Sequence, residues 1–169
     1  MGSQIILLNG PSSSGKSTLS KTLQALIWEK RSLQYEVVSI DDFMKTDPME
    51  TIYEDDVFEI SGDLCDHVLE RMKESSGVII DHVITSERIY QQLKNAIEDY
   101  TLFEVHVECS LEILKKREQE RKDRCPGSAE ASATYLFPKD GYDLTVDSGL
   151  RSAEENARII FEALFKDCV

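Results

Sequence analysis

The chain is short of positive charge, of paired cysteines and of long apolar runs, and each shortage removes a class of function. Its 169 residues carry 19 Lys and Arg against 32 Asp and Glu, a formal net charge of −13. Such a surface repels phosphate backbones and anionic membranes, so neither a nucleic acid nor a membrane is expected as a partner. The four cysteines, Cys65, Cys109, Cys125 and Cys168, lack the paired two-residue spacing of a zinc site. Reduced thiols in a cytoplasmic protein are the expectation. No apolar run approaches the roughly 20 residues that span a bilayer. The sequence opens Met1-Gly2, but Ile6 breaks the myristoylation pattern and no secretory leader is recognisable. With no internal repeat, low-complexity tract or linker, residues 1–169 are expected to form one domain.

What is present is an alternation. Four apolar runs of strand length, QIILLN (4–9), YEVVSI (35–40), GVIID (77–81) and LFEVHV (102–107), are separated by longer segments of helical period. A fifth, weaker run, DLTVD (143–147), precedes Ser152 and Glu155, a capping box for a last helix carrying Ile160, Phe161, Leu164 and Phe165. This rhythm predicts an α/β fold with a parallel sheet covered by helices. The stretch CPGSAEASA (125–133) reads as one mobile loop, and Trp28 is assigned to packing on the first helix.

Residues 10–17 read GxxxxGKS, after a buried strand and before a helix with Leu19, Leu23, Leu26 and Ile27. Gly10 and Gly15 allow backbone angles and close approach that a side chain would block, turning successive N–H groups of Gly10, Pro11, Ser12, Ser13, Ser14, Gly15, Lys16, Ser17 and Thr18 toward one anion, Pro11 alone lacking a donor. Lys16 then reaches the β and γ phosphates of a nucleotide, the helix amino end adds positive potential, and the Ser17 hydroxyl ligates Mg²⁺.

In a parallel sheet the carboxyl ends of all strands share one edge, where open α/β sheets bind ligands. Asp41 and Asp42 follow the second run and Asp81 ends the third, so all three face the phosphate loop. Phosphoryl transfer to an alcohol needs a carboxylate to take the hydroxyl proton and another group to hold the metal. Asp41 suits the first task and Asp81 the second; Asp42 serves equally as a cap or solvated turn, and His82 reads as a packed neighbour. In LEILKKREQERKDR (111–124), Arg117, Arg121 and Arg124 are spaced to project from one side of a helix. Beside a mobile loop, such a face suits a lid over about 115–135 that closes on ATP, with Arg121 and Arg124 stabilising the transferring phosphoryl group. A solvated helix with local ion pairs is the plainer reading.

Taken together, IILLNGPSSSGKSTL, VVSIDDF, VIIDHV, VHVECSLEILKKREQERKDR and YDLTVDSGLRSAEENA resemble the chloramphenicol phosphotransferase-like family of P-loop kinases over nearly the whole chain. The resemblance implies a three-layer, nucleoside-monophosphate-kinase-like fold, with a five-stranded parallel sheet flanked by helices and a helical lid. It implies ATP and Mg²⁺ as cofactors, and transfer of the γ-phosphoryl group to a hydroxyl of a small acceptor. By the same resemblance Asp41 is the base, and Lys16, Ser17, Arg121 and Arg124 match the nucleotide side.

Between Asp41 and Asp63 stand nine acids, Asp41, Asp42, Asp47, Glu50, Glu54, Asp55, Asp56, Glu59 and Asp63, against Lys45 alone. If this stretch forms the acceptor pocket, a neutral or cationic hydroxyl compound is favoured over a nucleoside monophosphate; a solvated acidic helix face is the alternative. Tyr53, Phe58 and Phe43 belong either to a pocket wall or to the core. A metabolite, nucleoside or nucleotide kinase of the same fold remains open, as does a nucleotide-dependent switch, although no NKxD-like stretch supplies guanine selectivity.

Overall fold

The protein is described from a computed structural model, which covers residues 4–44, 50 and 52–166. Strand β1 (Gln4–Asn9) leads through the glycine-rich loop into α1 (Lys16–Arg31) and β2 (Tyr35–Ser39), followed by a 3₁₀ turn (Ile40–Phe43). Then come α2 (Glu54–Met72), β3 (Gly77–His82), α3 (Glu87–Ala96) and β4 (Thr101–Glu108). The chain continues with α4 (Leu111–Glu120), α5 (Ser128–Tyr135), β5 (Leu144–Asp147) and α6 (Ala153–Leu164). The five strands form one sheet in the order β2-β3-β1-β4-β5, and every neighbouring pair is parallel.

The central position of β1 follows from its side chains. Successive residues of a strand face opposite sides of a sheet, so a strand buried on both faces is apolar throughout. Ile5 and Leu7 join a core with Leu64, Val68 and Leu93 from α2 and α3. Ile6 and Leu8 join the opposite core with Leu19, Leu23, Ile27 and Ile160 from α1 and α6. All four β1 side chains are fully buried, each stabilising the fold by about 1.5–3 kcal/mol. On α6, the Ser152 hydroxyl accepts from Glu155 N–H at 3.1 Å and the Glu155 carboxylate accepts from Ser152 N–H at 2.8 Å, the reciprocal cap the sequence predicts.

Three expectations are corrected. The stretch 125–133 is not one loop: α5 begins at Ser128. Its start is satisfied from a distance, because the Glu118 carboxylate accepts from the N–H groups of Gly127 at 3.1 Å and Ala129 at 2.8 Å, placing an anion at the helix amino end. The three arginines do not share a helix face, because α4 ends at Glu120, with Arg121 as its terminal cap and Arg124 beyond it. Trp28 is 59% exposed: the inward stripe of α1 is Leu19, Leu23 and Ile27, and Trp28 stands about 140° from its centre. Cys65, Cys109 and Cys125 are free thiols, while Cys168 lies outside the described residues.

Candidate active site

At the carboxyl end of β1 the chain turns sharply beside β4, and a Cβ on Gly10 would collide with the Val107 carbonyl oxygen. Ser13 and Gly15 then adopt positive φ, 67° and 86°, on either side of Ser14. That alternation curls the backbone into a concave nest of N–H groups leading into α1. Pro11 costs the loop a donor but supplies an acceptor twice, to Ser14 N–H at 3.2 Å and to Lys16 Nζ at 2.8 Å. Lys16 Nζ also donates to Ser14 Oγ at 3.2 Å, which parks the ammonium over the loop. Burial lowers the Lys16 pKa to about 8 despite the nearby carboxylates of Asp81 and Asp41. The hydroxyls of Ser12 and Ser13 are buried with no partner among the described residues. Buried polar groups left unpaired are costly, so the loop is built for a polar ligand that completes them.

Parallel pairing brings the acids to this loop. Ser17 Oγ donates to Asp81 Oδ2 at 2.8 Å, joining the first turn of α1 to β3. A hydroxyl and a carboxylate at this spacing are hard oxygen ligands, and Mg²⁺ is commonly held by one or two protein oxygens with phosphates and waters completing the shell. Among the described residues no group of three or more His, Cys, Asp or Glu side chains is arranged to hold a metal by itself. His82 is buried, its Nε2 lies 3.2 Å from Ser61 Oγ, and burial pushes its pKa down to about 4. It is therefore neutral near pH 7 and packs at the strand end.

Asp41 lies on the 3₁₀ turn after β2, and both of its carboxylate oxygens are engaged by Arg124. Burial opposes the charge on Arg124, but the hydrogen bonds and charge of Asp41 outweigh it and raise its pKa. Arg124 Nε is buried with no partner among the described residues. Arg121 pairs with Asp123 at 3.0 Å. Arg117 turns elsewhere, donating to Ser148 O at 2.8 Å and weakly to Ser13 O at 3.5 Å, so it braces the phosphate loop from outside. Asp42 is exposed.

These groups surround one cavity of about 940 Å³. Its phosphate wall includes Ser12, Ser13, Gly15, Lys16, Ser17 and Thr18, with Asp81 and Asp41 at the strand edge and Arg121 and Arg124 across from them. Asp123 and residues of the 125–132 stretch line it beside the arginines, and the wall running from the end of β2 through α2 to the end of β3 is apolar, with Ile40, Met44, Ile52, Val57 and Val83 interrupted by Glu50 and Thr85. Phe43 and Phe58 pack against the core, and Tyr53 is 70% exposed, so none of the three aromatics lines the cavity. The α2 acids Glu54, Asp55, Asp56, Glu59 and Asp63 are exposed and stand outside it, because α2 turns Ser61, Leu64, Cys65 and Val68 inward. Asp47 and Lys45 lie outside the described residues.

Two contributors escaped the sequence reading. Ser132 on α5 accepts from Ser12 N–H at 2.9 Å, tying that helix to the phosphate loop. Ser39 bridges toward both Asp81 and Asp41. The one signal for Ser39 is a hydroxyl two residues before an acid at a strand end; Ser132 has none.

An anion nest opening a helix, a buried lysine beside it and a five-stranded parallel sheet in this order define a P-loop kinase. The chain belongs to the chloramphenicol phosphotransferase-like family, which matches it over residues 3–165. Solved structures of similar fold include Mycobacterium tuberculosis APS kinase CysC in complex with AMPPNP and APS, 18% identical over 96% of this chain and 98% of that one, with a TM-score of 0.72. Shikimate kinase from Acinetobacter baumannii in complex with shikimate is 16% identical over 98% and 94%, with a TM-score of 0.68. A gluconokinase from Sinorhizobium meliloti 1021 is 17% identical over 99% and 98%, with a TM-score of 0.68. No curated protein matches the sequence. Among the described residues no helix is long and apolar enough to cross a membrane.

Proposed function

We propose that this kinase uses ATP and Mg²⁺ to phosphorylate a hydroxyl of a small neutral or cationic acceptor, an antibiotic-like alcohol among the candidates its family suggests. The observation that carries the reading is that Asp41, Lys16 and the phosphate nest open into one cavity. The acceptor oxygen attacks the γ-phosphorus, the bond from that phosphorus to the bridging oxygen of ADP breaks, and the hydroxyl proton passes to Asp41. Lys16 and the loop N–H groups hold the β and γ phosphates. Ser17 and Asp81 would hold Mg²⁺, which would supply neutralisation of the phosphate charge.

Arg124 has two successive tasks in this scheme. While it engages both oxygens of Asp41, the guanidinium competes with an acceptor hydroxyl for the carboxylate. A γ-phosphate in the nest offers the guanidinium a more highly charged partner. Its transfer from Asp41 to the phosphate frees the base only when there is a phosphoryl group to transfer. The acceptor wall supports a partner without phosphate: its described lining residues are apolar apart from Glu50 and Thr85, and the lining cations Lys16, Arg121 and Arg124 belong to the phosphate and lid side. An ATP-consuming reaction of this kind suits the cytoplasm.

The second reading is a kinase for an anionic metabolite or nucleotide. It draws on Arg121, whose only described ion pair is with its exposed neighbour Asp123. Incubation with ATP, Mg²⁺ and a panel of hydroxylated antibiotics, sugars, nucleosides and nucleoside monophosphates, read by mass spectrometry, tests both. Phosphorylation of an uncharged or amine-bearing alcohol is the expected result. Preferential turnover of a nucleoside monophosphate would overturn the acceptor assignment, and ATP hydrolysis with no acceptor modified would remove the transferase reading.

A further inference from the structure

We propose that Ser39 is a positioning residue that holds the metal-side carboxylate of Asp81 and the backbone of Asp41 in one frame. The proposal rests on the kinase reading of this cavity. Ser39 is the last residue of β2 and stands in register with Asp81 on the neighbouring parallel strand β3. Register partners on parallel strands send their side chains to the same face. The Ser39 hydroxyl donates to Asp81 Oδ2 at 3.2 Å and accepts from Asp41 N–H at 3.4 Å.

A serine hydroxyl has one proton and two lone pairs. Because a backbone N–H can only donate and an ionised carboxylate can only accept, the proton of Ser39 goes to Asp81 and a lone pair goes to Asp41. Ser39 does not line the cavity, so its influence passes through the two acids. Ser17 Oγ meets the same Oδ2 at 2.8 Å, and among the described residues no hydrogen bond reaches Asp81 Oδ1. Two hydroxyls on one oxygen thus fix the carboxylate while its other oxygen stays available to a cation or a cation-bound water. The second contact anchors the backbone N–H of Asp41 itself, the second residue of the 3₁₀ turn that follows the strand. One hydroxyl therefore relates the metal position to the base position.

The test uses the full chain with a non-hydrolysable ATP analogue and Mn²⁺ as the probe cation, with free Mn²⁺ read by electron paramagnetic resonance. Groups that hydrogen-bond a metal ligand typically contribute about 10-fold or more to metal affinity. Ser39→Ala is expected to weaken Mn²⁺ binding by about 10-fold, and Ser39→Thr, which keeps the hydroxyl, to restore it. The shape-matched pair Ser39→Thr and Ser39→Val makes the same comparison if Ser39→Ala folds poorly, with thermal melts run alongside. Unchanged Mn²⁺ affinity in Ser39→Ala and Ser39→Val, or a threonine variant as weak as the valine one, would overturn the proposal. If the unsubstituted chain binds no Mn²⁺ with the analogue, the kinase reading itself fails, and that failure is recognisable because it precedes any substitution.

Discussion

On the phosphate wall of the cavity, Ser14 and Lys16 are buried and the loop is held by its own backbone, by Ser17 against Asp81 and by Ser132 from α5. On the facing side, Asp41 is 38% exposed, its partner Arg124 stands beyond the end of α4, and Arg121 holds only an exposed neighbour among its described ion pairs. The first wall is organised before a ligand arrives, whereas the second is held by ion pairs that a ligand can exchange. Nucleotide binding and phosphoryl transfer should therefore fail separately when the two walls are cut.

The largest effect is expected from Lys16→Ala, which removes the buried ammonium from the nest. Charge-assisted hydrogen bonds contribute about 1.5–3 kcal/mol each, so affinity for a non-hydrolysable ATP analogue should fall at least ~10²-fold by calorimetry. Retained affinity would mean that the loop does not hold phosphates. Asp41→Asn should lower turnover by ~10² or more while leaving that affinity nearly unchanged, the signature of a lost proton acceptor. Parallel loss of binding and turnover would erase the distinction between the walls.

A smaller effect is expected from pH. Burial holds the Lys16 pKa near 8, below its ordinary value of 10.5. The proton is present below that pH and lost above it, so affinity for the analogue should be level on the acid side of 8 and fall by up to ~10-fold per pH unit above it. A flat profile from about pH 7 to 9.5 would show that Lys16 keeps its proton throughout. The smallest effects belong to the exposed acids of α2. Glu59→Gln and Asp63→Asn should change stability by no more than about 0.5 kcal/mol in urea titrations and leave the KM of the acceptor alone. Glu50→Gln removes the same charge from the cavity lining and should shift that KM.

Legibility in the sequence followed the range of the interactions. The phosphate loop was readable because a strand, two glycines, a lysine and a helix lie within adjacent residues, and each type has a local conformational or chemical reason to be there. The Ser152 and Glu155 cap was readable on the same grounds. Helix α5 was not, since the anion that starts it comes from Glu118 on another helix. The arginine face failed because helical spacing continues on paper past Glu120, where the real helix stops.

From sequence alone the chain's class was determined: apolar runs alternating with helical segments point to a parallel sheet, and the loop after the first run carries the pattern of a phosphate-binding loop. Only the tertiary structure decided which charges meet. Arg124 and Asp41 are 83 residues apart, and Ser39 and Asp81 are 42 apart. Their pairing depends on β3 lying between β2 and β1 and on where α4 ends. Strand order and helix termination emerge from packing over the whole core, which no local pattern of residues encodes.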